Sequence, residues 1–319
     1  MKVHAFLFPG QGSQAPGMGR DLAAAFPAAR AVFEEVDDTL GQRLSRLMFE
    51  GPAEELTLTE NAQPALMAHS LAVLAVLQSE GGWTLAERAA VVAGHSLGEY
   101  SALAAAGSFT VAQAARLLRR RGQAMQAAVP PGVGAMAALL GAELPLAVEI
   151  CEAARPAPDG SREVVDPAND NGGGQVVISG HAGAVDRAIA IAQARGVKRA
   201  MKLPVSAPFH CALMAPAAEA MRAALSESPP AAPAVPVIAN VAAAKVTDPG
   251  EITRLLIEQV TATVRWRESV LAMTALGVDS FVELGAGRVL GGLIRRIAPD
   301  AAAAAAGTPA DIDALLKSL

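Results

Sequence analysis

The stretch Val91-Val-Ala-Gly-His-Ser-Leu-Gly-Glu-Tyr100 constrains this chain more than any other. A short apolar run arrives at Gly94-His95-Ser96-Leu97-Gly98 and leaves as helix-forming sequence, Ser101-Ala-Leu-Ala-Ala-Ala106. This is a G-x-S-x-G nucleophile elbow in the strand–turn–helix setting that it requires. A serine at the apex of so tight a turn needs small neighbours, and Gly94 and Gly98 remove the side chains that would collide. Ser96 then projects at the N-terminus of the following helix, where free N–H groups and the helix dipole favour developing negative charge. A buried serine in a glycine-rich turn would share the bare motif, and the flanking strand and helix are what favour a nucleophile.

Composition narrows the setting. A chain of 319 residues is expected to hold one large domain, or a main domain with a smaller insertion, around a sizeable core. Aromatic residues are only 3 % against 52 % hydrophobic, so that core must be aliphatic. The net charge of −5 gives no global attraction to nucleic acid or to an anionic membrane. Cys151 and Cys211 stand far apart, with no C-x-x-C and no histidine at metal spacing, so neither a disulfide framework nor a zinc site is expected. The first apolar run breaks at Pro9-Gly10, too short for a signal peptide, and the run 65–77 is interrupted by His69 and Ser70. The expectation is a soluble, cytoplasmic enzyme.

Patterning predicts a strand over 3–8, ended by the loop Pro9-Gly-Gln-Gly-Ser-Gln-Ala-Pro-Gly-Met-Gly19. Gly10-x-Gly12-x-x-Ala15 fits a dinucleotide fingerprint. However, Pro16 and Gly17 fall where its helix should begin, and no following strand ends in an acidic residue. Helices are expected over 27–40 and 62–78, and Thr110-x-x-Gln113 is a capping box that opens a helix to about residue 128. That helix carries Arg116, Arg119, Arg120 and Arg121. Most of these read as a solvated basic face. One turned inward would clamp a carboxylate through two parallel hydrogen bonds, and spacing alone does not say which.

Pro130-Pro-Gly132 signals a linker. Beyond it lie a strand over 134–140, a helix over 145–154, strands over 163–168 and 175–179, a helix over 182–194 and a strand over 197–204. This β-α-β-β-α-β order is that of a ferredoxin-like subdomain. Its middle turn, Asn169-Asp-Asn-Gly-Gly-Gly174, is a hairpin signal, so Asn169 and Asn171 read more readily as turn formers than as ligands. The chain leaves this unit through Pro204-Val-Ser-Ala-Pro-Phe-His-Cys-Ala-Leu-Met214. Of five histidines, His4 falls in a strand, His69 in an apolar helix, His95 in the elbow and His181 beside a glycine turn. His210, at a proline-bracketed junction facing an interdomain cleft, is the best placed to act as a base. Helices over 213–225, 250–260, 267–276 and 288–297 and strands over 235–239 and 279–284 complete the pattern. The alternation implies a mostly parallel α/β sheet built from 1–130 and 206–319, with 131–205 as the inserted subdomain.

At Gly94-His-Ser-Leu-Gly-Glu-Tyr100 and Phe8-Pro-Gly-Gln-Gly-Ser-Gln14 the chain resembles the malonyl-CoA:acyl carrier protein transacylases. The blocks Phe209-His-Cys-Ala-Leu-Met214 and Glu283-Leu-Gly-Ala-Gly287 extend the likeness, which covers essentially the whole chain. The resemblance implies an α/β-hydrolase-like main domain with a ferredoxin-like subdomain. It also implies Ser96 as nucleophile and His210 as general base, a dyad with no acidic third member, the histidine being oriented by the main-chain carbonyl of Gln259. The oxyanion hole would be the backbone N–H groups of Gln11 and Leu97, and Arg121 would hold the free carboxylate of a malonyl group. Phe209 looks like the malonyl-selective pattern, since methylmalonyl-selective relatives carry a smaller residue there, commonly Ser. Asn169 and Asn171 match polar subdomain residues near the cleft.

The activity implied is ping-pong transfer of malonyl from malonyl-CoA, through Ser96, to the phosphopantetheine thiol of acyl carrier protein in fatty-acid synthesis, with no metal or redox cofactor. An acidic carrier protein would need positive surface, for which Lys198, Arg199 and Lys202, or Arg288, Arg295 and Arg296, are candidates if they are more than ordinary solvated charges. A monomer is expected, without nucleic-acid or membrane partners. The rival readings are a serine hydrolase or thioesterase sharing the elbow, a polyketide-pathway acyltransferase, and a non-catalytic scaffold that docks carrier proteins.

Overall fold

The computed structural model describes residues 2–205 and 207–318. Its strands, in chain order, are β1 (His4–Phe8), β2 (Ala89–Gly94), β3 (Gly134–Leu140), β4 (Val165–Asp170), β5 (Gln175–His181), β6 (Arg199–Lys202), β7 (Val237–Ala239), β8 (Ala244–Val246), β9 (Ser280–Leu284) and β10 (Ala302–Ala306). A six-stranded sheet runs β10-β9-β1-β2-β7-β8, parallel throughout except for the final antiparallel pair β7/β8. A separate antiparallel sheet runs β4-β5-β3-β6 and carries the helices Leu144–Ala154 and Ala182–Ala194 in the expected β-α-β-β-α-β order. The fold class is therefore α/β with a small antiparallel sheet inserted into the larger parallel one.

Helices cover both faces of the large sheet, and this explains why its strands read as apolar runs. Successive residues of a strand point to opposite faces. Phe6, Phe8, Val92, Val282 and Leu284 enter one core, while Ala5, Leu7, Val91, Ala93 and Phe281 enter another together with Trp266 and Ile294. The small sheet has its own aliphatic core of Leu139, Ile150, Val176, Ile178 and Val185. Cys151 and Cys211 are free and buried.

The helices expected over 27–40 and 182–194 form as Pro27–Leu40 and Ala182–Ala194, and the capping box at Thr110 is present. Three differences have physical causes. The helix Thr59–Gly81 is longer than its pattern suggests, because it is buried on nearly every side and so shows little periodicity at its ends. β10 is a run of alanines, poor strand formers, and it is held in the sheet by parallel pairing with β9 rather than by propensity. Asn169 lies in β4, at a bulge, and not in the hairpin turn; the turn itself is made by Gly172, Gly173 and Gly174, all at positive φ.

The C-terminal ends of the parallel strands carry the loops that matter. The chain leaves β1 into the Gly10–Gly19 loop, β2 into the elbow and β9 into Gly285–Gly287, so three adjacent strand ends open on one edge. The elbow fits there only because its glycines lack side chains. A Cβ on Gly98 would lie 2.2 Å from the Phe8 carbonyl oxygen of β1, and one on Gly94 would lie 1.8 Å from the Gly98 carbonyl oxygen. Backbone atoms cannot step aside as a flexible side chain can, so Gly94→Ala is expected to cost about 3 kcal/mol or more. Thermal unfolding would show this as a midpoint lowered by roughly 1–2 °C per kcal/mol lost. An unchanged midpoint would mean that the elbow turn closes less tightly on itself.

Candidate active site

Ser96 has φ 54°, a left-handed conformation that disfavours any residue with a side chain. Asn240, immediately after β7, holds it there. The Ser96 N–H donates to Asn240 Oδ1 at 2.8 Å, and Asn240 Nδ2 donates to the Gly94 carbonyl at 2.7 Å. One amide thus pins both ends of the turn. The Ser96 side chain then points at His210, with Oγ 2.7 Å from Nε2.

His210 also has positive φ, 60°, and is buried. Its Nδ1 lies 2.8 Å from the Gln259 main-chain carbonyl. A carbonyl only accepts, so Nδ1 carries the ring proton and Nε2 is the free acceptor that faces Ser96. Burial, helped by the nearby Arg121 charge, lowers the imidazole pKa to about 3. A neutral imidazole is the form needed to accept the serine proton.

Of the four arginines on the helix Val111–Ala127, one turns inward. Arg116 is exposed, Arg119 and Arg120 are half-buried and bonded to Gln42 and Glu227, and Arg121 is 1 % exposed. Arg121 Nη1 donates to Gln63 Oε1 at 2.8 Å; Nη2 donates to Gln259 Oε1 at 2.9 Å and approaches Ser96 Oγ at 3.3 Å. The guanidinium also sits 5.7 Å from the centre of the Tyr100 ring. Among the described residues no carboxylate forms an ion pair with it.

These groups meet in a cleft of about 500 Å³ between the two sheets, lined by Gln11, Leu97, Arg121, Asn169, Asn171 and Phe209 around Ser96 and His210. Leu97 sits at the start of the helix Gly98–Ala105, and Gln11 follows β1. Asn171 Oδ1 lies 2.9 Å from His95 Nε2, which links the small sheet to the elbow. Gln259 does not line the cleft. It is fully buried, and its place is behind the site, where its carbonyl meets His210 and its side chain meets Arg121.

Asn240, Gln63 and Glu99 also belong to this arrangement and carry little signal in the sequence. Asn240 ends an apolar strand and Gln63 interrupts an apolar helix, which is a weak signal. Glu99 lies within the elbow motif itself and is 3 % exposed. Its Oε2 accepts from Gln259 Nε2 at 2.7 Å and from the Asn240 N–H at 3.1 Å. Among the described residues no group of acidic, cysteine and histidine side chains could hold a metal, and no helix is long and apolar enough to cross a membrane.

The chain is similar to known proteins along nearly its whole length. Residues 5–311 match the acyl transferase domain family. The chain is 45 % identical over 317 residues to the malonyl CoA-acyl carrier protein transacylase of Escherichia coli strain K12, covering 99 % of this chain and 100 % of that protein. It is similar to the crystal structure of acyl-carrier-protein-S-malonyltransferase from Bartonella henselae, with 53 % identity, a TM-score of 0.95 and 99 % of each chain covered. It is also similar to PlMCAT, a malonyl-transacylase solved in complex with AntF, a type II PKS acyl-carrier protein (42 % identity, TM-score 0.94, 99 % of this chain and 100 % of that chain).

Because His210 stays neutral well below the ordinary imidazole range, acylation of Ser96 by an uncharged acyl thioester is expected to keep its rate as pH falls through about 6.5. Rapid-quench measurement of the acyl-enzyme checks this. A rate that halves near pH 6.5 would contradict a base held neutral by burial.

Proposed function

This chain belongs to the acyl transferase domain family, and on that premise we propose that it transfers a malonyl group from malonyl-CoA to the phosphopantetheine thiol of acyl carrier protein, in fatty-acid synthesis. The observation that carries the reading is Arg121. A guanidinium buried 3.3 Å from the nucleophile and bonded directly only to neutral groups is free to take a carboxylate that arrives with the substrate. A malonyl thioester carries its free carboxylate at that reach from its reactive carbonyl.

In the first half-reaction Ser96 Oγ attacks the thioester carbonyl while its proton passes to His210 Nε2. The N–H groups of Gln11 and Leu97 take the developing oxyanion, a type of contact worth roughly 3 kcal/mol per donor. The C–S bond then breaks, and the CoA sulfur leaves with the proton from His210. In the second half the carrier thiol gives its proton to His210 and attacks the malonyl-serine carbonyl, and Ser96 recovers the proton as it leaves. Arg121 holds the carboxylate through both halves, and Phe209 limits the volume beside it. The dyad, the two N–H groups and the guanidinium supply every charge that this transfer develops, so the reaction needs no metal or redox cofactor.

Residues 131–205 act in this reading as a ferredoxin-like insertion that closes one side of the cleft, supported by the strand order β4-β5-β3-β6. Docking of an acidic carrier would draw on the exposed Lys198, Arg199 and Arg295, with Lys202, Arg288 and Arg296 beside them. Three of these are already engaged, Lys202 with Asp186, Arg288 with Asp311 and Arg296 with Gln175.

Ser96→Ala is expected to abolish the malonyl adduct seen by intact mass after incubation with malonyl-CoA, and an adduct on that variant would sink the assignment. Arg121→Ala is expected to lower the preference for malonyl over acetyl groups by about tenfold or more, the worth of a charged hydrogen bond. Measured as a ratio of kcat/KM values, an unchanged preference would remove the clamp. Hydrolysis outrunning transfer to a thiol acceptor would instead favour a thioesterase.

A further inference from the structure

The transfer just described leaves Glu99 without a task. Its carboxylate is buried at the start of the elbow helix and is not part of the dyad. Arg121 is the one charge that acts on it across space. Between the two stands a single neutral amide. Gln259 Nε2 donates to Glu99 Oε2 at 2.7 Å and to the Ser96 carbonyl at 2.9 Å, while Gln259 Oε1 accepts from Arg121 at 2.9 Å. The amide's dipole therefore points its donors at the anion and its acceptor at the cation, the orientation that an ionised pair on either side would select.

Other titratable groups around Glu99 are neutral. Tyr100 is next to it on the same helix, and burial together with the Glu99 charge raises its phenol. His210 and His95 flank Ser96, and burial lowers both imidazoles. His69, on the packed helix Thr59–Gly81, and His4, on β1, are lowered by burial as well. Arg121 and Glu99 are thus the two charges of the buried site. Burial also pushes the Glu99 carboxyl up to about 7, so it stands ready to change state near neutral pH.

Resting on the malonyl reading above, we propose that Glu99 is the resident counter-charge of Arg121, and that it gives up this role by taking a proton when the malonyl carboxylate occupies the guanidinium. One cation in a dry site cannot balance two anions without penalty. The incoming carboxylate is a fixed anion held directly on Arg121, whereas Glu99 is one amide away and close to its titration point, so Glu99 is the one that neutralises. An acetyl group brings no carboxylate and leaves the protonation of Glu99 unchanged. By linkage, malonyl binding and Glu99 protonation assist each other to the same extent. Glu99 is then a positioning residue that tunes acyl selectivity through Arg121 without touching the substrate.

The chemistry of acylation is proton-neutral, since the Ser96 hydroxyl proton ends on the CoA sulfur; any uptake from solvent beyond that of an acetyl-CoA control therefore reports Glu99. The experiment follows wild type and Glu99→Gln in weak buffer near pH 7 with an indicator dye, and measures kcat/KM for malonyl and acetyl adducts from about pH 6 to about pH 8.5. Glutamine keeps an oxygen for Gln259 and Asn240 but cannot titrate. Wild type is expected to take up a fraction of a proton per malonyl group and none per acetyl group, with its malonyl preference falling roughly fivefold or more as pH rises. Glu99→Gln should show no uptake and a flat preference, equal at high pH to that of wild type at low pH, which a merely structural role would not produce. Malonylation without uptake and with a flat wild-type preference would overturn the proposal, and this wild-type result decides the matter even if the variant fails to fold. Absence of any malonyl adduct on wild type at every pH would instead overturn the functional reading, and the proposal with it.

Discussion

Everything at the centre of this protein hangs on Ser96 holding a backbone conformation that it would not choose. A left-handed serine costs on the order of 1 kcal/mol or more, and it persists only where its surroundings over-determine it. Here β1 presses on Gly98 from below and Asn240 bonds both the Ser96 N–H and the Gly94 carbonyl from the side. Asn240 is fixed in turn by its own N–H donating to Glu99, the second residue of the helix that the elbow begins. The strain and its restraints form a closed loop through two segments far apart in the chain.

The same economy governs charge. Arg121 and His210 both lie beside Ser96, yet neither is paired with a carboxylate, and amides and a main-chain carbonyl orient them instead. A carboxylate on His210 would raise its affinity for a proton, and one bonded directly to Arg121 would occupy the guanidinium that the proposed function assigns to the substrate carboxylate. Gln259 serves both with different atoms, carbonyl to the base and side chain to the arginine, so the two halves of the site keep a fixed distance.

How much of this could be read from the chain depended on the range of the interaction. Ser96 and its glycines announce themselves because a tight turn restricts neighbouring residues, and the Thr110 cap because its partner is three residues away. His210 and Arg121 were legible as chemistry, but their selection rested on resemblance, since nothing local distinguishes Arg121 from Arg120. Asn240, Gln63 and the side-chain role of Gln259 were not legible, because their partners on the elbow and on Arg121 lie from 58 to 163 residues away and leave no periodic trace. Asn169 was misplaced for a related reason. A run of asparagine and glycine looks like a turn throughout, and only pairing with β5 and with Val264 draws its first residue into the sheet.

That pairing with Val264 sets how the two sheets can move. The Asp170 N–H donates to the Val264 carbonyl and the Val264 N–H donates to the Ala168 carbonyl, each at 2.9 Å, and Arg267 adds a 3.0 Å ion pair to Asp170. Val264 lies shortly after Gln259, so main chain ties the edge of the small sheet to the segment that carries the carbonyl partner of His210. Such a seam makes the cleft a slot of set gauge rather than a jaw. Under the proposed function, acyl groups of different bulk would then be met by the walls, where Phe209 stands, and not by spreading the sheets apart.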